Sequence, residues 1–198
     1  MTPKIAGVLL SAAVLAAASA SAQAPPEMTP EQKAEMEAYA KAGAPGPQHQ
    51  TLASSAGSYD LKLKTWMEPG GKPEEETGTA ERKMELDGRV LVEHVNAAMM
   101  GTPFTGHAMM GYDNITGKFW STWNDSMSTA LFVSSGTCDA KNACSFKGTM
   151  TDPVTKKTNT TRMTTKWTSP TVEVFEMYGP DKKGKEYKMM EITYTKKS

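Results

Sequence analysis

From residue 58 to the C-terminus, apolar and polar residues alternate in short runs, and each run ends in a cluster of Gly, Pro, Asn or Asp. Alternate side chains of a strand point to opposite faces, so this pattern predicts β-structure. Ten strands are expected at about 58–67, 76–86, 89–97, 104–112, 117–124, 128–136, 143–150, 159–167, 171–178 and 186–195. Residues 106–127 show the unit most clearly, with two aromatic- and Met-rich runs around the turn Asp113, Asn114, Ile115, Thr116 and Gly117. Other connectors, such as Asp87-Gly88, Asp152-Pro153 and Ser169-Pro170, are equally short turn formers. Connections this short cannot carry parallel crossovers, so neighbouring strands should pair antiparallel in an up-and-down meander. Ten such strands either curl into a barrel or split into two packed sheets.

One helix is expected before the strands. Thr29, Pro30, Glu31 and Gln32 form an N-terminal cap with Pro at the first helical position, Met36, Tyr39 and Ala40 share one side, and Gly43 with Pro45 ends the helix near residue 42. Its expected role is to pack over one end of the β-structure. Further upstream, Lys4 precedes an apolar run from Ile5 to about Ala18 and small residues around Ala22 and Ala24. That order marks a secretory leader cleaved after one of those two alanines, because the run is short for a bilayer span and lacks a basic stop-transfer flank. The expected organisation is a leader over residues 1–24, helix and linker over 25–57, and β-structure over 58–198, in a periplasmic or secreted protein without stable membrane insertion after cleavage.

Charge excludes one class of partner. The 22 Lys and Arg balance 22 Asp and Glu, and the lysines alternate with acids or crowd into turns. Nucleic-acid binding needs a clustered basic face, so none is expected. The two cysteines, Cys138 and Cys144, flank a polar five-residue insert and should pair across it in an oxidising compartment, stabilising by only about 2 kcal/mol for so small a loop.

The face pattern carries the functional clue. Tyr59, Leu61 and Leu63 oppose Lys62 and Lys64, but the parity of Ala80, Met84 and Leu86 also carries Arg82. Strands 89–97 and 186–195 are apolar on both parities, with Glu93 or His94 on one and Glu191 on another. Ionisable groups must therefore share a face with apolar residues, which is costly unless they pair or meet a polar ligand.

These residues bring a family into view. Gly101-Thr102-Pro103-Phe104-Thr105-Gly106, Gly111-Tyr112-Asp113-Asn114, Ser121-Thr122-Trp123-Asn124-Asp125-Ser126-Met127, Phe175-Glu176-Met177-Tyr178 and Met190-Glu191-Ile192-Thr193-Tyr194 follow in order. In these pieces the chain resembles the bacterial family known as domain of unknown function 1579, over about residues 29–197. Tyr59 departs from the Trp expected there. The resemblance implies a ten-stranded lipocalin-like β-barrel and transfers no catalytic residue. Some lipocalin-like barrels bind haem through an axial histidine, a role that His94 or His107 would fill if turned inward.

No other chemistry is marked. The three histidines have no metal-ligand spacing, adjacent methionines among the 15 point to opposite faces, and no nucleophile elbow, phosphate loop or dinucleotide fingerprint occurs. No catalytic residue, metal or cofactor is therefore assigned. The leading expectation is an exported barrel that binds an amphipathic or hydrophobic small molecule. Arg82 would be the anion partner, Trp120 or Trp123 the apolar wall, and Glu93, Asp125, Glu176 and Glu191 the polar fixings. The alternatives are a haem- or carboxylate-dependent enzyme on the same barrel and a periplasmic protein-interaction module.

Overall fold

The computed structural model describes residues 27–198, so the expected leader lies outside the described residues. Contacts divide the chain into two units at Glu37 and Ala38. A helical segment opens the described chain as α1 (Pro30–Gly43) and resumes as α2 (Pro47–Ser54). At its start the Gln32 amide donates to Thr29 Oγ1 at 3.2 Å and the Thr29 amide to Gln32 Oε1 at 2.9 Å, a reciprocal cap. No residue of α1 is buried. The packing expected of the first helical stretch is made instead by α2, which buries His49 and Leu52 and contacts the second to fourth strands. His49 Nδ1 accepts the Gly46 amide at 3.0 Å, tying down the turn between the two helical stretches.

Ten strands follow: β1 (Gly57–Thr65), β2 (Glu74–Glu85), β3 (Val90–Met99), β4 (Thr102–Asp113), β5 (Lys118–Asp125), β6 (Phe132–Cys138), β7 (Cys144–Thr151), β8 (Thr158–Ser169), β9 (Val172–Pro180) and β10 (Glu186–Lys196). Each pairs antiparallel with its sequence neighbours, and β1 also pairs with β10, so the meander closes as a barrel. Closure removes the sheet edges that an open meander would expose. The sixth strand starts at Phe132 rather than near 128. Residues just before it form a loop in which Ser128 Oγ accepts the Ala130 amide at 3.0 Å and Asn124 Nδ2 donates to the Ala130 carbonyl at 3.3 Å. Cys138 and Cys144 are direct cross-strand partners and form the expected disulfide.

Four hairpin turns repeat one device. The carboxylates of Asp113, Asp139, Asp152 and Asp181 accept backbone amides from two to four residues ahead, as Asp113 does from Ile115 at 2.8 Å. A short acidic side chain thereby replaces a backbone acceptor in each tight loop. Bonds from the Thr116 hydroxyl, the Ala143 amide and the Thr155 amide hold Asp113, Asp139 and Asp152 respectively below the ordinary aspartate range.

Inside the barrel two apolar groups meet. Tyr59, Leu61, Leu63, Val95, Ile192 and Tyr194 form one, while Leu52, Leu91, Phe119, Phe132, Phe146 and Met163 form the other. Trp123 and Phe175 pack against both. Among the described residues no helix is long and apolar enough to cross a membrane.

Two outcomes are expected. A Cβ at Gly136 would sit 2.0 Å from the Ser145 carbonyl oxygen on β7, so Gly136→Ala should force backbone movement and cost about 2–3 kcal/mol, read from the urea midpoint. The three aspartates with depressed values contribute stability in full above the ordinary value of 3.8, and that contribution is lost as pH falls through their lowered values. Replacing all three by Asn keeps one acceptor oxygen in each turn, gives up the Thr116 hydroxyl's acceptor at position 113 and removes the titration, so thermal melts of the variant should depend less on pH in that acid window.

Candidate ligand cavity

The strand parity that carries Ala80 and Met84 also turns Arg82 inward, where its side chain is only 10% exposed. Its Nε donates to Glu93 on β3 and its Nη1 to Glu173 on β9. The two carboxylate side chains are nearly as enclosed, at 11% and 9% exposure. The guanidinium carbon lies 4.3 Å from the ring centroid of Tyr194 and 4.8 Å from that of Tyr59. Tyr194 OH donates to Glu93 Oε1 at 3.3 Å, and Tyr59 OH donates to the Ser55 carbonyl at the end of α2, at 2.6 Å. Burial by itself would lower the Arg82 pKa, but Glu93 and Glu173 outweigh it and hold the guanidinium charged. Burial, reinforced by Glu93, pushes the Tyr194 hydroxyl well above its ordinary value, so it remains a neutral donor.

Beside this cluster is a cavity of about 450 Å³. Its lining runs from Leu52 of α2 and its capping residue Ser55 to Met127 and Ser128 in the loop after β5. The walls are mainly apolar, with Phe119, Trp123, Phe146, Met163 and Phe175 among them. Trp123 is fixed at both ends: its Nε1 donates to Asp125 Oδ2 at 2.8 Å, and its ring stacks near Phe104 with centroids 6.2 Å apart. The ring occupies space left by Gly106, where a Cβ would lie 2.2 Å from Trp123 Cη2. Asp125 Oδ1 also accepts the Met127 amide at 2.9 Å.

The residues expected to form a site are therefore divided. Arg82, Glu93, Trp123 and Asp125 border the cavity. Trp120 lies on the other face of β5, packed over Gly111. Glu176 and Glu191 are cross-strand partners on the outer face, both bound by Lys188, with Glu176 Oε1 at 3.1 Å from its Nζ. Tyr178 OH also donates to Glu176, at 3.0 Å. Burial tends to raise the Glu176 carboxyl, but the Lys188 and Tyr178 bonds together bring it below the usual range. Glu173 takes the interior place that Glu176 was expected to fill. Plain alternation in β9 puts Glu173, Phe175 and Met177 on the inner face and Val174 and Glu176 on the outer one, with Glu173 opposite inward-facing Trp167.

Arg82 is already engaged by two carboxylates, so its expected role as a free anion partner is replaced by that of the central member of a charge cluster. None of the three histidines borders the cavity. His94 and His107 face each other outside the barrel with ring centroids 4.6 Å apart, and neither can be the inward axial ligand that haem binding by the resemblance would use. Glu93 and Glu173 share one guanidinium, and Glu93 also accepts the Tyr194 hydroxyl. Among the described residues no three His, Cys, Asp or Glu side chains are grouped to hold a metal ion.

A family model described as "Protein of unknown function (DUF1579)" matches residues 44–196. No curated protein matches. Among solved structures, a redesigned beta barrel shows 11% identity over 74% of this chain and 95% of its own, with a TM-score of 0.38. The barrel assignment rests on the strand pairing itself.

Removing the central cation should leave two enclosed carboxylates without their partner. Arg82→Met is expected to destabilise by about 3–5 kcal/mol, whereas the triple variant Arg82→Met, Glu93→Gln, Glu173→Gln should recover most of that loss in chemical denaturation.

Proposed function

We propose that this chain, which belongs to the DUF1579 family by a match spanning residues 44–196, is an exported barrel that binds one small amphipathic molecule without transforming it. The observation that carries this reading is the apolar cavity of about 450 Å³ with charged groups held at fixed positions on its wall. That volume falls in the range of small-molecule sites, about 300–1,000 Å³, and the mixture of many apolar walls with few fixed polar groups is their usual composition. A side chain bound to its neighbours before a ligand arrives loses little freedom on binding, which favours affinity. Arg82, Trp123 and Asp125 all have such partners. Export is supported by the leader-like order of residues 1–24 and by the disulfide between Cys138 and Cys144, a bond that persists in oxidising compartments.

Ala108 borders the cavity opposite Trp123 and offers a place to fill it. A neutral apolar fluorophore should bind the purified protein with a blue-shifted, enhanced emission, and Ala108→Phe should weaken that binding at least about tenfold while leaving the melting temperature nearly unchanged, because the added ring enters empty space. Equal probe binding by the variant, or none by the parent, would remove the interior from consideration as a ligand site.

A further inference from the structure

The cavity wall carries an excess of negative charge. Its charged lining residues are Arg82, Glu93, Asp125 and Glu173, so one cation faces three carboxylates. Arg82 offsets only one unit of the pair that binds it. Asp125 is satisfied by the Trp123 indole N–H and the Met127 amide, both neutral donors that orient the carboxylate without cancelling its charge.

One acceptor is left open. Glu173 Oε2 takes Nη1 of Arg82, while Oε1 accepts no hydrogen bond from any described residue. The side chain is 9% exposed and borders the cavity. Among the described residues no fully buried side-chain nitrogen or oxygen is without a partner, so this oxygen is not fully buried. An enclosed carboxylate oxygen with a vacant lone pair calls for a donor, and the surrounding charge excess favours a positively charged one. The low-dielectric wall strengthens that preference, because charge interactions weaken less there than in water. Aromatic faces add to it: Phe119, Phe175, Trp123 and Trp167 border the same space, and such faces attract cations.

We propose that the interior selects a protonated amine with an apolar body, its ammonium N–H donating to Glu173 Oε1 and its apolar part lying against the Phe, Trp and Met walls. This deepens the small-molecule reading above and rests on it. A carboxylate amphiphile such as a fatty acid meets the opposite condition, since it would bring a further negative charge to a wall already in excess and find Arg82 occupied.

The test is displacement of a neutral fluorophore, N-phenyl-1-naphthylamine, by three straight-chain C12 compounds, dodecylamine, dodecanol and dodecanoate, at neutral pH and below their aggregation concentrations. The amine is expected to compete at least about tenfold more strongly than the alcohol, with the carboxylate weakest. In Glu173→Gln, checked for an unchanged far-ultraviolet spectrum and melting transition, the amine's advantage should shrink to about twofold or less while the alcohol holds its affinity. Equal competition by amine and alcohol, or strongest competition by the carboxylate, in the parent protein overturns the amine assignment while leaving the small-molecule reading intact. Failure of the protein to take up the fluorophore or any of the three compounds removes that reading as well.

Discussion

A guanidinium held between two carboxylates inside a β-barrel is the constraint on which the remaining arrangement depends. Arg82 on β2 joins Glu93 on the adjacent β3 to Glu173 on β9, which lies on the other side of β1 and β10 in the barrel order. The contact spans the interior, so it fixes the distance between walls that no backbone ladder connects directly. Tyr59 and Tyr194 flank the guanidinium, and Tyr59 extends the network to the carbonyl of Ser55 in the α2 cap. Charges this enclosed contribute less to stability than a well-packed apolar replacement often would. They border unfilled apolar space, which makes the interior the candidate site.

The β4–β5 wall of the cavity, beside Glu93, is shaped by small residues. Gly106 leaves room for the Trp123 ring on the inside, and Gly111 leaves room for Trp120 on the outside. The indole of Trp123 is then held by Asp125, so an aromatic wall stands in one orientation. The β4–β5 and β2–β3 turns also reach the helical segment: Asn114 Nδ2 donates to the carbonyls of Ala42 and Ala44 at 2.9 and 2.8 Å, and Arg89 Nε donates to the Gly43 carbonyl at 3.0 Å. These side chains satisfy carbonyls at the end of α1 and position the start of α2, whose Leu52 borders the cavity. Turn chemistry, helix capping and cavity shape are thus parts of one contact system.

Alternation and short turns made the antiparallel meander legible, and the disulfide followed from a polar insert between two cysteines. The inner face of β1 was equally clear, because Tyr59, Leu61 and Leu63 alternate with charged residues. The later faces were not. In β9 uninterrupted alternation turns Glu173 inward and Glu176 outward, in β10 it turns Met190 and Ile192 inward and Glu191 outward, and the shift between Lys188 and Met190 brings Lys188 to the outer face beside Glu191. Both β9 and β10 carry apolar residues on each parity, so composition could not reveal which set faces inward. The division of Trp120 from Trp123 depends on the same face choice.

The central claim is that the charge cluster stands beside space which side chains do not fill. A crystal structure of ligand-free, refolded protein under xenon pressure tests it most directly, because xenon enters dry apolar cavities and scatters strongly. Xenon density is expected among Phe119, Trp123, Met163 and Phe175, with Arg82 still joined to Glu93 and Glu173. An interior without xenon, closed by those side chains at full packing, would contradict the account.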